Sequence, residues 1–374
     1  MEGTFLKHTP LHEEHITLGA RMAEFGGWDM PIQYEGILAE HQHTRTQTGL
    51  FDICHMGEFE LTGPTAAADL ENLLTMKVST LAVGQCRYGF MLNEEGGVID
   101  DLTCYCLDDA RYMLVVNAAT RDGDAEWIQN HLSPETVFTD RSNELAKLDV
   151  QGPQARTDLE KVFGSIPDIG YFRAEFFRGL EKLLGAGSAC LDTEMLISRT
   201  GYTGELGYEL YFPASEAVRI WRALLGNENI KPIGLGARDT LRLEMGYSLY
   251  GHELSTDRTP AGVSRGMFIK KDQDFIGRDA VMRDLETPAE LLVALEFESK
   301  RAARAHDKVF LRGLEMGEVT SGSVSPSLGK AVALALVKAD AAGLGTVLDV
   351  EIRGKQFPAT VVNLPFYPNG TARG

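Results

Sequence analysis

The amino-acid sequence predicts an α+β fold with a small, separate β domain at its C-terminal end. Three strand-like segments joined by two tight turns, at 88–92, 98–107 and 111–117, are followed by a helix-like segment at 120–131. A run of strands followed by a helix is typical of α+β proteins, whereas strict alternation would predict a parallel sheet. After residue 277, short strand-like segments alternate with turns rich in glycine, serine and proline, which predicts a small barrel or sandwich.

Composition and charge restrict the classes of function. The 374 residues are enough for two or three domains, and 44% hydrophobic and 24% charged residues are ordinary for a soluble globular protein. The formal net charge of −18 argues against non-specific binding to nucleic acid or to an anionic membrane surface. An anionic ligand would therefore have to be bound by a local group of basic side chains.

The cysteine content and the N-terminal segment favour a cytoplasmic location. The chain has five cysteines, an odd number, and its start, MEGTFLKHTPLHEEH, contains acidic residues and no apolar signal-peptide core. The longest apolar run, 331–337, is far shorter than the roughly 20 residues that span a bilayer. We therefore expect a soluble protein with reduced thiols.

Two groups of residues raise the question of a metal site. Cys104 and Cys106 would lie on one face of a strand, but no second pair accompanies them. His41, His43 and His55 lie near one another in the sequence without a metal-ligand spacing. We interpret these histidines as packing or capping residues and expect no metal.

The remaining elements are predicted from periodicity and turn residues. A helix is expected from Thr9, which could cap it, to Phe25, and the segment 28–31 is expected to form a turn. Helices are also predicted at 35–48, 65–74, 154–163 and 215–225, and strands at 51–61, 145–150, as a pair around 174–197, and at 291–298, 308–311, 315–320, 331–337 and 347–352.

Two adjacent aspartates interrupt the middle strand of the central meander. Side chains alternate between the faces of a strand, so Asp100 and Asp101 must point in opposite directions. Asp101 shares its face with Thr103 and Tyr105, a row of polar groups that could bind a ligand. A carboxylate on the covered side of the sheet needs partners or a shifted pKa. The alternative is a solvated edge strand on which both aspartates are harmless.

A glycine-rich loop and a glycine-initiated helix are further candidates. The segment 198–211 has glycines that let the backbone approach a ligand, with Tyr202 as an aromatic face and Glu209 as a carboxylate; the alternative is a plain hairpin turn. Arg238 lies in the first turn of the later helix, where the helix dipole opposes a cation, and Arg242 follows one turn on. Both arginines need acidic partners or a bound anion. Simple ion pairing to Asp239, Glu244 or remote acids would also explain them.

Six motifs in this order resemble one family along nearly the whole chain. They are FDICHMG (51–57), NEEGGVIDDL (93–102), VVNAAT (115–120), SRTGYTGELGYE (198–209), GLGARDTLRLE (234–244) and SGSVSPSLGKAVALALV (321–337). Together they resemble the T proteins of the glycine cleavage system, which are tetrahydrofolate-dependent aminomethyltransferases. The N-terminal segment TPLHEEH…FGGWDMP is similar to the same family.

The resemblance implies a reaction and a partner. A lipoylated H protein would deliver an aminomethyl group, and the enzyme would transfer its methylene carbon to tetrahydrofolate. The products would be 5,10-methylenetetrahydrofolate, ammonia and dihydrolipoyl H protein. Rival interpretations are a tetrahydrofolate-dependent demethylase of the same fold, and a non-catalytic folate-binding protein.

The resemblance also implies residue roles and a domain arrangement. Asp101 matches the family's catalytic aspartate near N10 of folate, Glu209 the pterin-binding glutamate, and Arg238 an arginine that helps to hold folate. The other expected folate-binding residues are Tyr88, Thr103, Tyr105, Asn117, Tyr202 and Met56. The expected fold is a ring of three domains, with two antiparallel-sheet α+β domains, 1–55 with 145–275 and 56–144, and a C-terminal barrel or jelly-roll-like domain, 276–374.

Overall fold

A computed structural model of the protein describes residues 5–178 and 194–373. Its helices are His12–Thr17 (α1), Ile37–Thr46 (α2), Ala66–Leu73 (α3), Arg121–Asn130 (α4), Ala155–Phe163 (α5), Ala217–Leu225 (α6), Leu235–Met245 (α7) and Arg278–Glu286 (α8). Its strands are Arg21–Phe25 (β1), Trp28–Gln33 (β2), Thr48–Asp52 (β3), Gly57–Thr62 (β4), Cys86–Leu92 (β5), Val98–Asp108 (β6), Arg111–Val116 (β7), Val137–Asp140 (β8), Leu145–Gln151 (β9), Ala174–Phe177 (β10), Met195–Ser198 (β11), Gly207–Pro213 (β12), Ile230–Pro232 (β13), Glu290–Phe297 (β14), Lys308–Leu311 (β15), Leu314–Val324 (β16), Ala331–Lys338 (β17), Val347–Ile352 (β18) and Lys355–Val362 (β19).

Two sheets and a barrel organise these elements. One sheet has the strand order β10-β11-β12-β9-β3-β13, and a second has the order β5-β6-β7-β4-β8. Strands β14-β17-β16-β15-β18-β19 form a closed barrel. All neighbouring strands are antiparallel except β3 and β13, which are parallel. The α+β fold class and the C-terminal barrel predicted from the sequence are confirmed.

The five-stranded sheet is formed by residues 57–140, between β3 and β9 of the six-stranded sheet in the sequence. Each sheet buries its own apolar cluster, one against α5 and α6 and the other against α3 and α4. A further cluster joins the ends of β5 and β6 to α7 and to the barrel strands β14 and β17. The three-domain division proposed from the sequence stays a proposal; these clusters supply its physical basis.

The predicted N-terminal helix from Thr9 to Phe25 is wrong beyond its first part. Helix α1 ends at Thr17, and β1 and β2 form an antiparallel hairpin in which Phe25 lies opposite Trp28. Gly26 and Gly27, which connect them, both have positive φ, +56° and +85°. Such a two-glycine connection matches the twist of paired strands, so the turn predicted at 28–31 is a strand instead.

The central meander has the predicted form. Strand β6 pairs with β5 on one side and with β7 on the other, so the alternative that Asp100 and Asp101 lie on a solvated edge strand is wrong. Strands β10 and β11 of the predicted pair around 174–197 are antiparallel; its residues 179–193, with Cys190, lie outside the described residues. No helix in the described ranges has the length and apolar character to cross a membrane.

Candidate active site

A cavity of about 500 Å³ lies where the two sheets, α7 and the segment after it come together. This volume is within the usual range of small-molecule sites. Eight of the nine side chains predicted to form the site line it: Met56, Tyr88, Asp101, Thr103, Asn117, Tyr202, Glu209 and Arg238. These residues come from segments up to 182 positions apart (238 minus 56), and the fold brings them together around one cavity.

Asp101 presents its carboxylate to the cavity from the middle of β6. The Tyr88 hydroxyl donates to its Oδ2 at 2.8 Å, and Asn117 Nδ2 donates to its Oδ1 at 2.9 Å. Burial, followed by the charge of Asp100, raises the pKa of Asp101 to about 7. A carboxyl group with this pKa can accept and return a proton at neutral pH.

Asp100 lies on the opposite face of β6 and is fully buried. It accepts two hydrogen bonds from one residue, at 2.9 Å from the main-chain N–H of Asn117 and at 2.7 Å from its Nδ2. The side-chain amide of Asn117 therefore bridges both aspartates. This link fixes the two carboxylates relative to each other.

Glu209 projects into the cavity from β12 and has one crowded oxygen. Its Oε2 accepts hydrogen bonds from Thr200 and Tyr211, both at 2.8 Å, and from Tyr105 at 3.1 Å. Its Oε1 has the Lys147 ammonium at 3.4 Å. Burial would raise the pKa of Glu209, but the Lys147 charge and the hydroxyl donors outweigh it and lower this pKa. Glu209 is therefore an anion whose Oε1 is the less occupied oxygen.

The structure places Tyr105 behind the cavity wall rather than on it. Tyr105 lies on the Asp101 face of β6 as expected, but it is fully buried and packs with Tyr211 and Leu196 of the other sheet. The two sheets meet at this end of β6, so the cavity ends before Tyr105. Its hydroxyl contacts Glu209 and supports that carboxylate from behind.

Arg238 and Arg242 both have acidic partners, as the ion-pairing alternative expected. Arg238 forms a 2.6 Å salt bridge to the remote acid Asp149, and Arg242 contacts Asp239 at 2.9 Å and Glu253 at 3.0 Å. Both arginines nevertheless line the cavity. The salt bridges hold the guanidinium groups beside it, where they can also meet an anionic or carbonyl group of a ligand.

Tyr202 comes from the glycine-rich loop between β11 and β12. These strands pair antiparallel, so the hairpin alternative describes the topology correctly. The loop also lies against the cavity: the Arg238 guanidinium is 5.0 Å from the Tyr202 ring centre, and the Tyr202 hydroxyl donates to the main-chain oxygen of Ser248. A Cβ at Gly201 would lie 2.1 Å from a side-chain oxygen of Gln151, so any larger residue there would displace the buried Gln151 side chain.

Sequence reasoning missed Lys147, which lines the cavity while its side chain is almost fully buried. Lys147, Asp149 and Gln151 occupy alternate positions of β9, so they share one face. A polar face on an otherwise apolar strand was the signal that could have identified them. Asp149 lies opposite Glu209 in the register of β9 and β12, which brings both acid–base pairs side by side.

The histidines considered for a metal site have separate partners. His41 contacts the Thr240 hydroxyl at 2.8 Å, and His43 contacts main-chain oxygens. His55 lines the cavity, and burial lowers its pKa to about 4, which leaves the ring neutral. In the described part of the chain, His8, His12 and Asp29 are the group whose ligand atoms could reach one ion.

That group has a simpler explanation. The rings of His8 and His12 stack at 3.6 Å with only 4° between their planes, and His12 Nε2 contacts Asp29 at 2.8 Å. Nitrogen lone pairs lie in the ring plane, so stacked parallel rings direct them alongside each other rather than toward one ion. The expectation that the protein uses no metal stays a prediction.

Comparison with known proteins places the whole chain in one family. Residues 11–273 match the GCVT N-terminal domain, and residues 291–368 match the glycine cleavage T-protein C-terminal barrel domain. The chain is 45% identical over 367 residues to an aminomethyltransferase of Herpetosiphon aurantiacus, covering 97% of this chain and 98% of the relative. It is 42% identical to an aminomethyltransferase of Desulforamulus reducens, with the same coverage.

A solved structure agrees with this assignment. The glycine cleavage system aminomethyltransferase T of Bartonella henselae superimposes with a TM-score of 0.90 at 33% identity, covering 98% of this chain and 99% of that one. Both domains, both relatives and the solved structure point to the same activity. The chain therefore belongs to the family of glycine cleavage system T proteins, the aminomethyltransferases.

Proposed function

We propose that this aminomethyltransferase uses tetrahydrofolate as its acceptor and a lipoylated H protein as its donor. The carbon–sulfur and carbon–nitrogen bonds of the aminomethyl group break, and the carbon forms bonds to N5 and N10 of tetrahydrofolate. The two protons that N5 and N10 lose end on the lipoyl sulfur and on the departing ammonia. The products are 5,10-methylenetetrahydrofolate, ammonia and dihydrolipoyl H protein.

One observation carries this proposal: a single cavity presents an acid with a pKa near 7 and, on another strand, an ionised carboxylate with an open oxygen. Tetrahydrofolate needs both groups. Its pterin ring has adjacent N–H donors that suit a carboxylate acceptor. Its N5 and N10 must release protons while the carbon is transferred.

Asp101 is the proposed catalytic residue. Its carboxylate can accept a proton from a folate nitrogen because Tyr88 and Asn117 hold it toward the cavity. Its negative charge also stabilises the cationic, iminium-like carbon that forms as ammonia leaves. Both roles require Asp101 to be ionised when the carbon arrives.

Glu209 is the proposed pterin-binding residue. Its Oε1 is the oxygen available for the pterin N–H groups, since three hydroxyl groups already donate to Oε2. The Lys147 ammonium at 3.4 Å keeps this carboxylate ionised. The Tyr202 ring and the Met56 side chain supply flat and apolar surfaces for the pterin and benzoyl planes.

Arg238 is proposed to orient folate from beside Glu209, since its partner Asp149 lies opposite Glu209 in the register of β9 and β12. Its guanidinium is held at one end by Asp149 and lies 5.0 Å from the Tyr202 ring centre. A guanidinium group offers several N–H donors in one plane. Those that do not bind Asp149 can therefore meet the pterin carbonyl or a carboxylate of the folate tail.

The test is a coupled assay of purified protein with tetrahydrofolate and aminomethyl-lipoyl H protein, following ammonia and 5,10-methylenetetrahydrofolate. The control replaces the H protein with its unlipoylated form. We expect both products only with the lipoylated donor. Turnover of a small methylated amine without H protein would indicate a demethylase instead. Tight folate binding without any turnover would indicate a non-catalytic folate-binding protein.

A further inference from the structure

A third carboxyl group, that of Asp124, lies behind Asp100. Asp124 belongs to the first turn of α4 and is fully buried. Its two oxygens are buried and form no close hydrogen bond among the described residues, although the Thr120 hydroxyl lies near enough to favour the charged forms of both Asp124 and Asp100. Its carboxyl group lies against that of Asp100, close enough for a hydrogen bond between the two. Two ionised carboxylates cannot form that bond, because both would be acceptors.

Within residues 5–178 and 194–373, no lysine or arginine forms a salt bridge with Asp100 or Asp124. Among the groups that interact electrostatically with these aspartates are Tyr88, Tyr202 and Arg265, each with Asp101, and Tyr250, with all three; Asp257 in turn interacts with Tyr250. Arg265 is the cation among them, and its guanidinium donates to the main-chain oxygens of Gly246 and Ser264 and to the hydroxyl of Ser248.

A buried carboxylate pair without a cation is stable only if it shares a proton. Burial, followed by the charge of Asp100, raises the pKa of Asp124 to about 10. Asp100 instead accepts two N–H groups from Asn117, an arrangement that suits an ionised carboxylate. These contacts place the proton on Asp124 and the charge on Asp100.

We propose that Asp124 is a positioning residue for the transfer reaction: it donates a proton in a hydrogen bond to Asp100 and so keeps Asp100 an acceptor for Asn117. This inference rests on the function proposed above. Asn117 Nδ2 in turn donates to Asp101 Oδ1 at 2.9 Å. The path from Asp124 through Asp100 and Asn117 therefore sets the position of the Asp101 carboxylate without any contact between Asp124 and the cavity.

The same path sets the proton affinity of Asp101. An anionic Asp100 makes it harder for Asp101 to ionise, and this repulsion is part of what raises the pKa of Asp101. If Asp124 could not donate, the buried Asp100 would take up a proton itself. Its repulsion of Asp101 would then disappear, and so would one acceptor site for Asn117.

Two variants of similar shape separate a proton donor from a space-filling residue. Asp124→Asn keeps an N–H donor for Asp100, so we expect kcat within about threefold of wild type and an unchanged acid limb of the pH profile. Asp124→Leu has no donor, so we expect kcat to fall roughly tenfold or more, the KM for tetrahydrofolate to change less, and the acid limb to move to lower pH. Glu126→Gln, on the exposed face of the same helix, is the control.

Infrared difference spectra locate the proton independently of turnover. At about pH 9 the wild type and Glu126→Gln should show the carbonyl band of a buried protonated carboxylic acid that is missing in Asp124→Asn. A band that persists in Asp124→Asn would place the proton elsewhere and overturn the proposal. So would a folded, folate-binding Asp124→Asn that loses activity as Asp124→Leu does. Absence of wild-type turnover with the band present would reject the proposed function while leaving the proton assignment intact.

Discussion

Asp101 is the residue on which the pH behaviour of the enzyme should depend. Its pKa is raised to about 7 by burial and by Asp100, and its proposed role requires the ionised form. We expect kcat/KM to fall as the pH drops through about 7. The measurement is the pH profile of turnover with saturating H protein.

The same shift makes a prediction about stability with the opposite sign. Since the folded-state pKa of Asp101 lies above that of an exposed aspartate, its contribution to the free energy of unfolding is full at low pH and is lost as the pH rises through about 7. Asp101→Asn removes this loss. The melting temperature of the variant should therefore rise relative to wild type between about pH 4 and pH 7, and the difference should then level off; a difference that is constant over this range would contradict the shifted pKa.

Glu209 should govern the affinity for folate. Glu209→Gln removes the charge at Oε1 and replaces one oxygen by an N–H donor, which opposes both the pterin N–H groups and Lys147. We expect the Kd for tetrahydrofolate to rise roughly tenfold to hundredfold. Calorimetric titration measures it, with the exposed Glu228→Gln as the control. An unchanged Kd would remove Glu209 from the binding site.

Most residues that line the site could be predicted from the sequence, but the residues that contact and position them could not. Asp101 and Glu209 stand out in the sequence because aspartate and glutamate are uncommon in strands, so their presence there indicates a binding or catalytic role. Lys147 and Asp124 do not, since a lysine in a strand or an aspartate in a first helical turn is ordinary. Lys147 matters because it contacts Glu209, and Asp124 matters because it lies against Asp100. Only the packing of separate elements shows this.

Strand β6 is the element that carries Asp101, and the turn before it is tightly packed. A Cβ at Gly97 would lie 1.7 Å from the main-chain oxygen of Thr256. We expect Gly97→Ala to lower the free energy of unfolding by about 1–3 kcal/mol. Because Asp101 lies four residues further along, in the strand that this turn leads into, turnover should fall as well.

Gly123→Ala is the matched control for this substitution. Gly123 lies within α4, and a Cβ there meets nothing within 4 Å. Alanine favours the helix over glycine by about 1 kcal/mol, so this variant should be more stable than wild type. Urea unfolding measures both variants, and equal effects would contradict the tight packing at Gly97.

Local sequence patterns predicted helices and strands correctly where the tertiary contacts favoured the same structure. Strands β5, β6 and β7 have turn residues between them and pair in sequence order. The predicted helix fails at Arg21–Phe25, where Met22 and Phe25 are only half buried and the chain pairs as a strand instead. The two glycines that follow decided the outcome, since they allow the chain to turn back and pair.

A buried charge cluster links several parts of the molecule. Arg45 of α2 contacts Glu205 of the glycine-rich loop at 2.9 Å and Glu244 of α7 at 2.8 Å. Glu244 also accepts hydrogen bonds from Ser325 and Ser327, which follow the barrel strand β16. The glycine-rich loop and α7 both carry residues that we propose bind folate. The cluster therefore fixes both of these elements against the barrel.

Arg45→Met should destabilise the whole molecule. The substitution leaves two buried carboxylates without their shared cation, so we expect a loss of about 3–5 kcal/mol in the free energy of unfolding. Arg222→Met is the control, because Arg222 is 68% exposed in its salt bridge with Glu14, and solvent-exposed ion pairs contribute little to stability. Similar losses in a urea titration would contradict the structural role of the cluster.

The arrangement of the whole molecule was accessible only through the family resemblance. Local patterns predicted strands and helices, but the register that sets Glu209 beside Asp149 joins distant segments. The charge of −18 likewise indicated that basic groups would be local. Lys147, Arg238 and Arg242 on the cavity wall are such a group.

The catalytic role of Asp101 is tested most directly by comparing wild type with Asp101→Asn in the H-protein-dependent assay, with the Kd for tetrahydrofolate measured on both. We expect turnover to fall by about 10²–10⁴-fold, while folate affinity is largely retained because Glu209 and Arg238 are unchanged. A variant that binds folate and still transfers the carbon at the wild-type rate would contradict the catalytic role of Asp101.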